Sequence, residues 1–101
     1  MVSLISSSDE RLKTNFRKIL NSGEIVDGLA PSLFDWLSGQ KDTYGFGAQT
    51  SYKVFPQAVA KGDDNTTTIT DQWGMDVSKL VPVLVAELQS VRARLAALES
   101  K

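Results

Sequence analysis

The sequence contains neither cysteine nor histidine, and both absences restrict the chemistry open to the chain. Without cysteine there are no disulfides, no thiolate nucleophiles and no thiolate metal ligands. Without histidine the chain lacks the most common general base and the most common metal ligand of proteins. Any catalysis must therefore use serine, threonine, lysine, tyrosine, aspartate or glutamate.

The chain also lacks an excess of charge of either sign. Its 11 basic and 12 acidic residues give a formal net charge of −1, which predicts no general attraction to nucleic acid or to acidic membranes. No apolar run approaches the roughly 20 residues that a membrane-spanning helix needs. The first residues also lack the basic flank and long apolar stretch of a secretion signal. We expect no nucleic-acid partner and no membrane partner.

Metal and nucleotide sites lack their usual residue patterns as well. The carboxylates are scattered instead of forming the dense oxygen cage of a calcium loop. The GFG at 45–47 is too short for a phosphate-binding loop. We therefore expect no metal and no other cofactor. The length of 101 residues predicts one domain with a modest core, to which partner chains would add contacts.

The spacing of apolar residues predicts short elements in the first part of the chain. Residues 9–20 have apolar side chains at helical spacing and are predicted as a short helix, with an extended segment as the alternative. The NSG at 21–23 ends that element. A second short helix is predicted around residues 25–30 and stops near Pro31.

The middle of the chain favours strands and turns. LFDW at 33–36 predicts a strand or a buried turn, and residues 43–59 predict a strand that passes into a short helix terminated by Pro56. Residues 61–74 begin with turn-forming residues and continue with β-prone threonines, which predicts a hairpin.

The clearest pattern is a heptad repeat near the end of the chain, where every a and d position is apolar. The a positions are Val81, Leu88 and Leu95, and the d positions are Val77, Leu84, Val91 and Leu98. Ser78 is the predicted N-cap, and Pro82 falls in the first turn, where proline is tolerated. Leu80 and Val85 widen the apolar stripe, so the start of the helix is expected to pack on the domain body as well.

Charges beside the heptad positions favour parallel packing with other copies of the chain. Glu87 at a g position faces Arg92 at an e position of a parallel neighbour, and Arg94 at g faces Glu99 at e. The alternative is an amphipathic helix docked on its own domain, but the stripe beyond Leu88 is narrow, which favours a coiled coil. Mixed valine and leucine at a and d do not distinguish a dimer from a trimer.

The stretch SSSDERLK at 6–13 contains a serine five residues before a lysine. Without histidine, the base for a serine hydroxyl would be a neutral lysine, which requires burial to lower a lysine pKa from about 10.4 to roughly 7 or 8. Ser8 and Lys13 form such a dyad only if the chain between them bends, because residues five apart lie on different faces of a helix. The simpler interpretation makes Ser8 a helix N-cap and leaves Lys13 in solvent.

Five segments follow one another in the order typical of a known family. They are SDERLKTNF at 8–16, LAPSLFDW at 29–36, YGFGAQ at 44–49, KVFPQAV at 53–59 and MDVSKLVPVLVAELQSVRARLAALE at 75–99. Together they resemble the self-cleaving C-terminal intramolecular chaperone domain of phage endosialidases, tail spikes and tail fibres. The resemblance runs from Ser8 to the end of the chain, and the ordered set is far more specific than any single segment.

The resemblance implies a folding helper at the C-terminus of a trimeric, β-rich phage fibre or spike. Such a domain trimerises, assists folding of the upstream part of its own chain, and then cuts itself off once at a Ser-Asp bond. In this sequence the bond joins Ser8 to Asp9. The implied activity is that of a single-turnover autoproteolytic serine peptidase with Ser8, Lys13 and Asp9 as catalytic residues. The domain would act in the host cytoplasm during phage assembly and be released from the mature virion fibre.

The expected fold is α+β and mainly helical. It has a small body with short strands or a hairpin and a long C-terminal helix that forms a parallel trimeric coiled coil. Residues 1–8 would be the end of the upstream fibre or a linker, residues 9–101 the chaperone domain, and residues 75–101 its coiled-coil helix. The implied partners are further copies of the chain, as a homotrimer, and the upstream fibre or spike domain.

The residues leave the route of cleavage open. Attack by Ser8 on its own carbonyl would form a strained ring. Activation of water by Ser8 and Lys13 avoids that strain, as does attack of the Asp9 carboxylate on the Ser8 carbonyl through a six-membered ring. The alternative function, from a different class, is a permanent trimeric tip or receptor-binding knob that never cuts.

Overall fold

The computed structural model describes Ile5 and residues 7–101 of the chain. The α-helices in this part are α1 (Ser22–Gly28), α2 (Ala48–Tyr52) and α3 (Leu80–Glu99). The strands are β1 (Ser32–Phe34), β2 (Thr43–Gly45), β3 (Val59–Ala60) and β4 (Gly74–Met75). Short 3₁₀ turns lie at Glu10–Leu12, Pro56–Ala58 and Val77–Lys79. Helical residues outnumber strand residues, which confirms the predicted α+β class with a long C-terminal helix.

Residues 13–21 form neither a helix nor a strand, so the predicted helix over residues 9–20 is wrong apart from the turn Glu10–Leu12. Lys13 ends that turn with an extended backbone, at φ −122° and ψ 158°. Asn15 has a positive φ of 57°, which a right-handed helix excludes. The extended alternative agrees with the backbone at Lys13, and the apolar side chains that suggested a helix are exposed at Leu12, Phe16 and Leu20.

Helix α1 starts where the sequence predicted a helix end. Asn21 occupies the N-cap position and Ser22 is the first helical residue, so the NSG at 21–23 begins the element instead of ending it. Ile25 is buried on the side that contacts α3. The helix ends at Gly28, where a Cβ would collide with the Val54 side chain, and thus before Pro31 as predicted.

The first hairpin pairs β1 with β2 in antiparallel register, with Leu33 opposite Tyr44. Its connection uses two residues with positive φ, Gly39 at 121° and Asp42 at 54°. The Asp42 backbone N–H donates to Asp35 Oδ1 at 3.0 Å and fixes the turn. The predicted strand in LFDW is confirmed, and so is the strand that passes into a short helix, although α2 ends before Pro56.

The second hairpin pairs β3 with β4, and the predicted threonine-rich strand lies in its long loop. Asp63 organises this loop. Its carboxylate accepts backbone N–H donors from Asn65 at 3.1 Å, Thr70 at 3.1 Å and Asp71 at 2.8 Å. Its carbonyl accepts from Trp73 Nε1 at 2.8 Å. The Asp71 N–H is the largest of the influences that lower the pKa of Asp63.

The N-cap of the turn that leads into helix α3 lies two residues before the predicted one. Asp76 is the N-cap of the turn Val77–Lys79, and its Oδ1 accepts from the Ser78 backbone N–H at 3.1 Å and from the Ser78 hydroxyl at 2.6 Å. Ser78 is therefore a donor to the cap, and its prediction as the cap is wrong. Pro82 is the third residue of α3, within the first turn as predicted.

The interior of the described chain is small. Its buried apolar side chains are Ile25, Ala58, Leu80 and Val83. Two of them belong to the start of α3, which confirms that this end of the helix packs on the body. Val85, expected to share that packing, remains about half exposed. The body thus fixes only the first part of α3, and the remaining apolar side chains of the helix face outward.

Candidate catalytic site

A tight turn directly after Ser8 builds the site. Asp9 is the N-cap of the 3₁₀ turn Glu10–Leu12, and its Oδ1 accepts from the Arg11 backbone N–H at 3.0 Å. The Leu12 N–H donates to the Asp9 carbonyl at 3.1 Å, and the Lys13 N–H donates to the Glu10 carbonyl at 3.0 Å. These successive bonds bend the chain between Asp9 and Lys13.

The bend brings Lys13 back to Ser8. Lys13 Nζ donates a hydrogen bond to Ser8 Oγ over 2.8 Å, although five residues separate them. A regular helix would place them on different faces, but a 3₁₀ turn followed by an extended Lys13 brings them together. Asp9 takes the cap position that the simpler interpretation gave to Ser8. The structure thus places the two predicted dyad residues in contact, beside the Ser8–Asp9 bond and exposed to solvent.

Arg11 binds the Asp9 side chain on both carboxylate oxygens. Arg11 Nη2 donates to Oδ2 at 2.7 Å, and Nε lies 3.1 Å from Oδ1 and 3.2 Å from Oδ2. The guanidinium is the main cause that lowers the pKa of Asp9, and the Arg11 backbone N–H adds to it. In return the carboxylate raises the pKa of Arg11. The Asp9 carboxylate therefore stays ionised at a lower pH than the carboxylate of a free aspartate does.

The sequence prediction missed Arg11 at this site. Its only signal was local, because it is a basic residue two positions after an aspartate that can cap a turn. Periodicity and dyad spacing do not detect such a contact.

Comparison with known families adds the decisive observation. The model of the Peptidase_S74 family, described as the chaperone of endosialidase, matches residues 8–60, slightly more than half of the chain. The chain belongs to this family. Membership of Peptidase_S74 indicates two general functions for the chain, those of a chaperone and of a serine-type peptidase. No curated protein matches the chain significantly, and no solved structure does so either.

The Peptidase_S74 match begins at Ser8 and ends at Ala60. It therefore contains the turn with Asp9, Arg11 and Lys13, the first hairpin and α2. It stops before β4 and α3. The family match therefore confirms the predicted resemblance over residues 8–60. Any role of α3 has to be argued from the residues of that helix.

The predicted interface residues of α3 share one exposed strip, which we call the α3 seam. Its members are Val81, Leu84, Leu88, Val91, Leu95 and Leu98. They keep between 44% and 64% of their surface exposed. Val77, the first d position of the repeat, lies in the turn before the helix and is also exposed. Exposed apolar residues at this spacing are typical of a helix that packs against other helices.

Two of the four charged residues predicted beside the α3 seam, Glu87 and Arg94, have partners within the chain. Glu87 Oε1 accepts from the Ser22 hydroxyl at 3.1 Å, and Glu87 Oε2 lies 3.5 Å from Arg94 Nη2. The first contact ties α3 to the start of α1. Arg92 and Glu99 are exposed. The pairs predicted between neighbouring chains thus remain predictions, and Ser22 is a partner that the sequence did not indicate.

Two searches of the described residues gave no site of another kind. Across Ile5 and residues 7–101, no group of three or more acidic side chains is arranged to hold a metal ion. Within the same residues, no helix combines the length and the apolar character needed to cross a membrane.

Proposed function

We propose that the chain is a C-terminal intramolecular chaperone of a phage tail fibre or spike. It trimerises, assists folding of the upstream part of the same chain, and then releases itself by one cut between Ser8 and Asp9. The observation that most supports the proposal is the 2.8 Å hydrogen bond from Lys13 Nζ to Ser8 Oγ beside that bond. Because the chain has no histidine and no cysteine, a lysine is a candidate base for a serine hydroxyl, and this pair brings the two groups together.

Each residue of the site has a separate role in the cut. A water molecule adds its oxygen to the Ser8 carbonyl carbon and gives one proton to Ser8 Oγ, whose own proton passes to the neutral amine of Lys13. The bond between the Ser8 carbonyl carbon and the Asp9 nitrogen then breaks. Lys13 returns the proton to the departing nitrogen, which leaves a carboxyl group on Ser8 and a free amine on Asp9. Asp9 fixes the position of the bond.

Assembly would prepare Lys13 for this role. A lysine acts as a base only in its neutral form, and burial away from water favours that form. Lys13 is exposed in the single chain, and in this proposal neighbouring chains of the trimer cover it. We therefore expect the cut to follow trimerisation.

The α3 seam supplies the trimerisation surface in this proposal. A long β-rich trimer folds slowly, because its contacts are non-local and its three chains must align. A parallel coiled coil at the C-terminus holds the chains together and raises their local concentration. After release of the domain, the mature fibre would persist through its unfolding barrier. The partners are two further copies and the upstream fibre or spike domain, with neither nucleic acid nor membrane, and the setting is the host cytoplasm during phage assembly.

The proposal is tested by expressing the fibre protein together with this domain and measuring the masses of its products. Wild-type protein is expected to give a fragment that begins at Asp9, while Ser8→Ala and Lys13→Ala remain uncut. Lys18→Ala, which removes another exposed lysine outside the helices and strands, is the matched control and is expected to cut. Cleavage that persists in both dyad variants would contradict the proposal. A wild-type protein that is trimeric but uncut would favour the permanent tip or receptor-binding knob.

A further inference from the structure

We propose that Arg11 is a positioning residue for this cleavage. It holds the Asp9 carboxylate as the cap of the turn that returns Lys13 to Ser8. The inference rests on the proposed function, because positioning has meaning only if the Ser8–Asp9 bond is cut.

The contacts of Asp9 show how Arg11 exerts this control. Oδ1 accepts from the Arg11 backbone N–H at 3.0 Å and from Arg11 Nε at 3.1 Å. Oδ2 accepts from Arg11 Nη2 at 2.7 Å and from Nε at 3.2 Å. One residue therefore binds both carboxylate oxygens with its main chain and with its guanidinium. A two-pronged guanidinium pair fixes orientation more strongly than a single contact does.

The position of Asp9 makes this orientation important. Asp9 supplies the nitrogen of the bond to be cut, and its carbonyl accepts the Leu12 N–H that closes the turn. Rotation of Asp9 would thus move the Ser8–Asp9 peptide and the turn together. Lys13 lies at the end of the same turn, so its reach to Ser8 depends on the cap.

The same contacts select among the routes of cleavage. Attack of the Asp9 carboxylate on the Ser8 carbonyl would require an oxygen to turn toward the residue before it. Both oxygens are bound by donors of Arg11, which follows it in the chain. Attack would first have to break those bonds. Arg11 therefore keeps Asp9 in the role of a cap and leaves the water route to Ser8 and Lys13.

The surroundings of Asp9 allow a clean experiment. The turn Glu10–Leu12 buries none of its residues, and the Arg11 side chain is 88% exposed. The charged group in contact with the Asp9 carboxylate is Arg11, which follows it in the same turn. Replacing Arg11 thus leaves the interior of the domain unchanged.

The first test compares cleavage rates of the fibre protein that carries Arg11→Gln, Arg11→Lys or Arg17→Gln. We expect Arg11→Gln to cut about threefold to tenfold more slowly, because an exposed pair contributes modestly and a two-pronged one somewhat more. Arg11→Lys keeps the positive charge but loses the two-pronged guanidinium contact. Its cleavage rate is therefore expected to lie between those of wild type and Arg11→Gln. Arg17 is a matched control, because its guanidinium also bonds locally, to the Asn15 carbonyl at 2.9 Å, and its replacement is expected to leave the rate unchanged.

The titration of Asp9 distinguishes positioning from a general loss of structure. Arg11 lowers the pKa of Asp9, so the wild-type carboxylate stays ionised further into acid. Without Arg11 the carboxylate is expected to take up its proton at a higher pH. NMR titration of Asp9 in the uncut Lys13→Ala chain, with and without Arg11→Gln, measures the same shift without any cleavage.

The outcomes separate this inference from the proposed function. If Arg11→Gln cuts at the wild-type rate, the inference is overturned, while inactive Ser8→Ala and Lys13→Ala still support the proposed function. An equal pKa of Asp9 with and without Arg11 also overturns the inference. Asp9→Asn, whose amide oxygen can still cap the turn, is expected to cut slowly. Complete loss of cutting in a trimeric Asp9→Asn protein would indicate attack by the carboxylate. A wild-type protein that never cuts overturns both proposals.

Discussion

Replacement of Leu88 by alanine tests the α3 seam most directly. Leu88 occupies the middle a position of the heptad repeat, and 60% of its surface is exposed in the single chain. Alanine keeps the helical propensity high, so the change removes apolar surface without disturbing α3. Gln89→Ala, at the exposed neighbouring position outside the a and d set, is the matched control.

The magnitude follows from the surface that remains to be covered. Leucine exceeds alanine by three carbon atoms, and each contributes about 0.8 kcal/mol when it is buried. With 60% of Leu88 still exposed, partner chains would contribute about 1.4 kcal/mol per chain, or about 4 kcal/mol per trimer. Since 1.4 kcal/mol is a factor of ten, the dissociation constant of the trimer rises about a thousandfold. The chain concentration at which half of the chains are assembled varies as the square root of this dissociation constant. It therefore rises about thirtyfold.

Analytical ultracentrifugation of the chain over a concentration series measures this shift. We expect wild type and Gln89→Ala to assemble over the same range, and Leu88→Ala to need a concentration higher by about thirtyfold. A wild-type chain that stays monomeric at micromolar concentration would refute the coiled coil. An equal effect of Leu88→Ala and Gln89→Ala would refute the assignment of Leu88 to the interface.

Two further predictions concern contacts within one chain. Glu87→Gln weakens the charged acceptor of the Ser22 hydroxyl and is expected to lower the free energy of unfolding in urea by about 1 kcal/mol. The control Asp27→Asn, in an exposed position of α1, should change little, and equal losses would show that the Glu87 contact is unimportant. Backbone N–H donors lower the pKa of Asp63, so its ionised form stabilises the fold above its ordinary pKa, and this contribution disappears as the pH falls through the lower folded value. We therefore expect Asp63→Asn to have a lower Tm than wild type near pH 7, with the gap closing as the pH falls through the lowered pKa of Asp63, as followed by tryptophan fluorescence. A gap independent of pH would contradict this reasoning.

The sequence was sufficient where the pattern was long or the chemistry was specific. The α3 helix was predictable because apolar residues repeat over three heptads and Pro82 lies where a helix tolerates it. The pairing of Ser8 with Lys13 was predicted through the resemblance to a known family, because spacing alone favoured a helix cap and a lysine in solvent. In both cases several residues pointed to one arrangement.

The failures occurred where one backbone angle or one side-chain contact decided the outcome. The apolar spacing in residues 9–20 suits a helix, but the positive φ of Asn15 breaks it, and spacing does not reveal such an angle. Ser78 and Asp76 are both good caps by residue type, and only the direction of their hydrogen bond distinguishes them. The contact between Ser22 and Glu87 joins residues 65 apart in the chain, which local patterns do not detect.

The small interior determines how a single chain responds to heat and denaturant. In the described residues only four apolar side chains are buried, at Ile25, Ala58, Leu80 and Val83. The heat-capacity change of unfolding and the slope of stability against urea both increase with the surface that unfolding exposes. A lone chain therefore unfolds with a small heat-capacity change and over a broad range of urea. Sharp unfolding with a large heat-capacity change requires the α3 seam to be covered, so calorimetry distinguishes isolated chains from assembled ones.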